Sequence, residues 1–396
     1  MLKQMNSSKK QIDTVCFGGE DWWYHNRGHI DMQLMRCFSR RGSALYINSI
    51  VMQKPNLKKN IGGAKSFTHK LFRKTKSIIH GLHESRAGFW VYSPLSLPVH
   101  HIAWLRFLND TVVRLQLLAV IRRLRMCNPM VWVACPVAYN VAMKMKKRKL
   151  VYQRTDRFEE YPNVDAEVIK QYDLALKANA DLTVFVSQKL YEQEYKQCKK
   201  AIFLDHGVNY DAFATAQSDK EIPSDIKDIS KPIVGFFGGI DDHTSDIDLV
   251  KKVIDLLPEM NFVFIGNSSI DCKELLAKKN VRMLGQKPYE QIPHYGKCFD
   301  VAIMPWRQNR WIEVCNPIKL KEYLALGKPV VSTPFTELQK YRDVVYQANG
   351  PEEFARCIKK ALEEDGPERI AARRKKVEIS TWDSKAELVL NKLFEK

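Results

Sequence analysis

Short apolar runs, each followed by a segment of helical character, recur along the chain, and no other feature restricts its fold as strongly. Residues 14–17 (TVCF) end at the Gly18-Gly19 turn. Residues 30–41 read as a helix stopped by Gly42, and residues 44–48 are strand-like again. The strand pattern returns at 89–92, 130–134, 149–152, 182–186 and 201–204, with a helix expected over 164–180. After a polar stretch at 215–231 a second series begins. Strands are expected at 232–237, 261–266, 281–285, 300–305 and 329–332, and a helix over 245–257 with Ser245 as its N-cap. Continuous apolar runs suit strands buried on both faces, and their alternation with helices predicts parallel α/β sheets.

The break between the series predicts two doubly wound domains. We expect an N-terminal domain over 1–207, a linker over 208–231, a C-terminal domain over 232–380 and a closing helix over 381–396. The segment 351–396 reads as helical with a break near Gly366-Pro367, and Trp382 suits an anchor for the last helix. In doubly wound folds ligands bind beyond the C-terminal ends of the strands, so a cleft between the two halves is the expected site.

Charge separates the halves. Residues 1–160 hold 28 of the 63 Lys and Arg but only 9 of the 45 Asp and Glu, while the remainder is close to neutral. A cationic half calls for an anionic partner: nucleic acid, an anionic membrane surface or a polyanionic substrate. Residues 103–126 mix apolar positions with Arg106, Arg114, Arg122, Arg123 and Arg125, as in a helix lying on a membrane with its arginines at the headgroups. Residues 54–76 are basic too, and a solvated charged face accounts for either stretch equally simply. No apolar run reaches transmembrane length, and the N-terminus lacks the apolar core of a secretory signal. The nine cysteines follow no pairing or metal-ligand spacing, so reduced thiols in a cytoplasmic setting are expected.

Two constellations carry chemistry. Gly238-Gly239 lies between a strand and a helix, where glycine lets backbone N–H groups approach an anion. A plain strand-to-helix connection explains it as well, and Asp241 and Asp242 argue against a close phosphate. In NPIKLKEYLALGKPVVSTPF (residues 316–335), Lys319 and Glu322 are spaced i, i+3 on one helix face. A lysine in a first turn opposes the helix dipole, which an anionic ligand would explain. A carboxylate only accepts hydrogen bonds, which suits a pair of ribose hydroxyls. An exposed Lys319–Glu322 salt bridge is the alternative.

The segments GFFGGIDD, NVRMLGQKPYEQIPHYGKCFDVAIMPW and NPIKLKEYLALGKPVVSTPFTEL, in this order, resemble the C-terminal half of GT-B glycosyltransferases. They are most similar to the retaining family 4 enzymes that include bacterial exopolysaccharide and cell-wall sugar transferases. The resemblance implies two Rossmann-like doubly wound domains facing across a cleft. It also implies transfer of a sugar from a UDP- or GDP-sugar to a saccharide or lipid-linked saccharide, with retention, no metal and no cofactor besides the donor. It places Glu322 on the ribose and Gly238-Gly239 at the donor phosphates, where Lys319, Arg307 or Arg310 would supply the cation and Asn316 would join the site. The family's second glutamate falls at Val314 here, so Glu313, one residue away, is the candidate for the sugar-facing carboxylate. YQRTDRFEEYPNVD is similar to a segment in which an aspartate is the general base, which points to Asp156; flanking Arg154 and Arg157 are expected to lower its pKa or simply to pair with it. Trp22, His25 and His29, after the first strand, are acceptor-side candidates, since aromatic faces pack on sugar rings and histidine moves protons; packing of Trp22 and Trp23 on the neighbouring core is an equal alternative. A peripheral location on the inner face of the cell membrane fits a lipid-linked acceptor. A nucleotide-sugar epimerase of the same fold is the alternative. A nucleic-acid binder is a weaker one, because helix-turn-helix, zinc and RNP signatures are missing.

Overall fold

A computed structural model describes residues 12–24, 28–48, 50, 52, 75–97, 102–161 and 163–395. The basic stretch 54–76 and His25 fall largely or wholly outside the described residues. By internal contacts the chain divides into Met1–Asp205 with Ala386–Lys396, and His206–Lys385.

The first unit is built on strands β1 (Thr14–Phe17), β2 (Ala44–Ile47), β3 (Leu82–Arg86), β4 (Phe89–Tyr92), β5 (Met130–Val133), β6 (Lys149–Arg154), β7 (Leu182–Phe185) and β8 (Ala201–Phe203). They pair in the order β3-β4-β2-β1-β5-β6-β7-β8, and only β3 runs antiparallel to its neighbour. The β3–β4 hairpin was not expected. Its first strand, LHESR, is a half-exposed edge with too few apolar residues to announce itself. The inner strands β1, β2 and β5 are buried at every position. At roughly 1.5–3 kcal/mol for each large apolar side chain withdrawn from water, such strands are the main favourable contribution to this sheet.

The second unit carries β9 (Ile233–Phe237), β10 (Asn261–Ile265), β11 (Val281–Met283), β12 (Val301–Met304), β13 (Val330–Ser332) and the short, unexpected β14 (Tyr346–Gln347). All pair in parallel in the order β11-β10-β9-β12-β13-β14. Counting from β9, this is 3-2-1-4-5-6, the dinucleotide-fold order, whose direction reverses between β9 and β12. The first unit's parallel strands reverse in the same way between β1 and β5.

Two expectations change. The helix Ile247–Leu256 is capped by Asp246, whose carboxylate accepts from Leu249 N at 3.0 Å, and Ser245 lies outside it. A carboxylate there also complements the helix dipole. The segment expected to be a linker belongs to the second unit: Val208, Phe213, Ala216 and Ile226 are buried in its core. At the C-terminus, Trp382 opens the helix Trp382–Phe394 and packs against Gly207, while the guanidinium of Arg148 sits 4.9 Å from the Phe394 ring. All nine cysteines are free thiols.

Candidate functional site

At the reversal point of the second sheet, β9 runs into Gly238 and β10 into Gly266, with φ of +143° and +148°. These are backbone conformations that glycine adopts without strain. A Cβ on Gly266 would lie 1.9 Å from the Gly238 carbonyl oxygen, so the two strand exits are in direct backbone contact. Gly239 is exposed.

The helix Ile318–Ala325 brings the chemistry to this turn. Pro317 is its N-cap residue. Its far end has the expected glycine: Gly327, at φ +77°, ends the helix, and Lys328 N–H donates to the Tyr323 carbonyl. The Tyr323 hydroxyl accepts from Phe237 N at 2.9 Å, which fixes the helix against the last residue of β9. One turn earlier, Lys319 then comes to rest on Gly238: a Cβ there would meet its Nζ at 2.3 Å. That ammonium lies 4.5 Å from the Phe236 ring centre and 5.6 Å from that of Trp306, and it makes neither an ion pair nor a hydrogen bond among the described residues. Aromatic faces attract a cation but do not neutralise it. Loss of hydration pulls Lys319 down to about 8, partly offset by the charges of Glu322 and Asp241.

Glu322 is 3% exposed. Its Oε1 accepts from the Tyr289 hydroxyl at 2.8 Å. Burial raises its pKa to about 7, against the opposing effects of that hydrogen bond and of Lys319. The surface salt bridge is therefore not what the helix builds. Lys319 and Glu322 share a face without pairing, one resting on the glycine turn and the other on Tyr289. Tyr289 was not singled out in the sequence, because it reaches Glu322 from a separate segment after β11.

Of the two acidic residues after the glycines, Asp242 is exposed and Asp241 turns inward. Asp241 accepts from His243 N, Thr244 N and the Thr244 hydroxyl at 3.0, 2.7 and 3.0 Å, so it braces its own turn and does not project from it. This turn is tied to the exit of β12. Arg307 N donates to Thr244 O, its Nε donates to Ser245 O at 3.1 Å, and Asn309 Nδ2 donates to His243 O at 2.7 Å. Arg307 thus has a structural contact here and is otherwise exposed. Arg310 and Glu313 are exposed on the short helix Arg310–Val314, and Asn316 is half-buried in the link to the Lys319 helix.

In the first unit the expected Asp156–Arg pairing is absent. Arg154 is fully buried and turned to Glu159, Glu194 and Asp173, at 2.9, 3.2 and 3.3 Å, with Lys177 bridging Asp173 and Glu194. Arg157 pairs with Glu160 at 3.1 Å. Asp156 instead accepts from the Tyr161 hydroxyl at 2.9 Å. Its pKa is raised, not lowered: burial outweighs the Tyr161 hydrogen bond and the charges of Arg154 and His29. His29 lies at the start of the helix Ile30–Phe38, exposed, and close enough for its charge to act on Asp156. Trp22 is 1% exposed, packed on Tyr46 and Phe89 at ring separations of 5.7 and 4.8 Å, and cannot offer a face to a sugar. Its neighbour Trp23 is half-buried and stacks on His80 at 4.4 Å. His206 packs edge-on to Trp382.

Comparison with known proteins bears on both units. Residues 231–364 match the family model Glycosyl transferases group 1. The chain is 28% identical over 225 residues to a Bacillus subtilis (strain 168) protein assigned as the teichuronic acid biosynthesis glycosyltransferase TuaH; the match takes in 53% of this chain and 56% of that one. Among solved structures, sucrose-phosphate synthase from Thermosynechococcus elongatus superposes with a TM-score of 0.66 at 13% identity, covering 96% of this chain and 98% of its own. Anabaena HepE in complex with UDP and glucose gives 0.56 at 13% identity, covering 97% and 95%. At such identities the superpositions speak for the fold alone. The chain therefore has the two-sheet GT-B glycosyltransferase fold, and residues 231–364 of its second unit are similar to the glycosyl transferases group 1 family.

Proposed function

We propose that this protein is a glycosyltransferase of cell-surface polysaccharide synthesis that takes a sugar from a nucleoside diphosphate donor, UDP- or GDP-linked, and passes it to a saccharide or lipid-linked saccharide. The observation that carries this reading is the ammonium of Lys319 on the Gly238 turn, without an ion-pair partner among the described residues and one helical turn from the buried carboxylate of Glu322. An ammonium without a carboxylate beside a glycine turn is arranged for an anion from outside the protein, here the diphosphate. Glu322, held by Tyr289 through one oxygen, would accept from the ribose hydroxyls with the other. In the reaction the bond from the anomeric carbon to the diphosphate breaks and a bond to the acceptor oxygen forms. Lys319 stabilises the charge left on the diphosphate. Asp156, with its raised pKa, is our candidate to receive the acceptor's proton. Glu313 is the sugar-facing candidate, and exposed Arg307 and Arg310 are candidates for further donor contacts. Retention, independence from metal and the absence of any cofactor besides the donor are inferred from the family resemblance. We place the protein at the inner membrane face because an anionic surface would attract the basic residues 1–160.

Thermal unfolding in the presence of UDP-, GDP- and ADP-sugars tests this directly, since a ligand bound to the native state raises the melting temperature by mass action. One nucleotide class should stabilise the wild type, and Glu322→Ala should abolish the shift. An equal shift in the variant would remove Glu322 from the donor site.

A further inference from the structure

The helix Ala103–Arg123 has two apolar faces, and among the described residues only one has a partner. Val113, Leu117 and Val120 are buried in the core of the first unit. On the opposite face Trp104, Phe107, Leu108, Leu115 and Leu118 are between 44% and 65% exposed. Their positions fall on one stripe of a 3.6-residue helix. The stripe is widened by the loop before the helix. Leu95 N donates to Gln116 Oε1 at 2.9 Å, Gln116 Nε2 donates back to Leu95 O at 3.0 Å, and Leu97 N donates to Asn109 Oδ1 at 2.8 Å. These bonds strap the loop along the helix and hold Leu95 and Leu97, both more than half exposed, beside the stripe.

The exposed charge on this helix has one sign. The helix contains a single acidic residue, Asp110, which is buried and accepts from Asn140 Nδ2 at 2.8 Å. Arg122, Arg123 and Arg125 are exposed at its C-terminal end, and Lys144 Nζ sits 5.4 Å from the Phe107 ring. Among the described residues no helix is long and apolar enough to cross a bilayer.

We infer that the outward face of Ala103–Arg123, with Leu95 and Leu97, is the surface by which the protein sits on an anionic lipid bilayer. This rests on the reading that the acceptor is membrane-borne, and it names the surface responsible. The helix, about 30 Å long, lies in the plane of the interface. Its aromatic and leucine side chains enter the headgroup–acyl boundary, and the arginines at its end meet lipid phosphates. A second copy of the chain is the poorer occupant, because it would bring one basic rim against another on molecules of formal net charge +18.

Flotation of the full chain with vesicles tests this, using phosphatidylcholine alone and an equal mixture with phosphatidylglycerol. The wild type should float with the mixture and not with phosphatidylcholine. The variant Trp104→Ser/Phe107→Ser/Leu115→Gln should bind the mixture about 10-fold or more weakly, with an unchanged melting temperature because these side chains are solvent-exposed. The second variant, Arg122→Gln/Arg123→Gln, should lose about 5-fold or more and show a shallower dependence on salt. Nucleotide-induced thermal shifts, which read the donor site, should be the same in all three proteins. Equal flotation of the apolar variant would overturn this surface while leaving membrane attachment through other basic residues. No flotation of the wild type would overturn both the surface and the membrane reading. A wild-type dimer that the apolar variant dissociates would assign the face to a second copy and overturn the inference.

Discussion

Arg154 in the first unit, fully buried, and Lys319 in the second, half-buried, are both cations near a strand exit, and they are treated in opposite ways. Arg154 ends β6 and is met by Glu159, Glu194 and Asp173, so its charge is answered within the protein. Lys319 rests on a glycine turn and two aromatic rings, and among the described residues no carboxylate pairs with it. A buried charge is tolerated when paired and costly when alone. The first arrangement braces the segment 155–161 that carries Asp156 and Tyr161. The second holds a charge at a stability cost, which a bound anion would remove. A perturbed pKa by itself does not separate these cases, since Arg154 and Lys319 are both perturbed. The partner list does.

The contrast is most easily broken at Arg154. Arg154→Met would leave Glu159 without its partner and Asp173 and Glu194 with Lys177 alone, and we expect a loss of about 3–5 kcal/mol in chemical denaturation. A loss below about 1 kcal/mol would mean that the network contributes little. Lys319→Met should do the reverse. Nucleotide affinity should fall by about 10- to 150-fold, the range for a hydrogen bond to a charged group, while the melting temperature without ligand holds or rises. A variant that unfolds more easily but binds nucleotide normally would make Lys319 another Arg154. Gly238→Ala acts on the same contact from the other side, because the new methyl group displaces the Lys319 amine and the backbone is held at φ +143°. Strain on the order of 1–3 kcal/mol is expected in the unfolding midpoint, with weaker nucleotide binding; unchanged binding would separate the turn from the site.

The smallest effect is on pH dependence. Glu322, raised to about 7, binds its proton more tightly in the folded state, so its contribution to ligand-free stability is full below about pH 4.5 and is lost as pH rises through 7. Lys319, lowered to about 8, releases its proton more readily when folded, so its destabilising effect fades as pH rises from 8 toward 10.5. Nucleotide binding needs the carboxylate ionised and the ammonium charged. Affinity measured by calorimetry should therefore weaken below about pH 7 and above about pH 8. Glu322→Gln should flatten the acid limb only, and an acid limb that survives this change would have to come from another group.

Much of this molecule could be read from the chain. The inner strands were legible because both of their faces are covered, so they are unbroken apolar runs in a mostly polar chain. The edge strands β3 and β14 were not, because an edge packs on few neighbours and its sequence stays mixed. Lys319 and Glu322 could be placed on one helix face from spacing alone. That they do not pair could not, because it depends on Gly238, Phe236 and Tyr289 approaching from other segments. The same limit applied to Asp156, whose sequence neighbours are arginines while its hydrogen-bond partner is Tyr161. It also applied to Trp22, for which the sequence left a sugar-facing and a core position equally open and which packing put in the core.

The sequence by itself determined the two wound sheets, the glycine turn after β9 and the helix that bears Lys319 and Glu322, since periodicity and glycine placement are local properties. Only the tertiary structure decided which charges are answered, which aromatic rings are covered and which face of Ala103–Arg123 is left outside. Those outcomes depend on side chains distant in sequence reaching the same few ångströms, where the loss of water makes each pairing, or its absence, count.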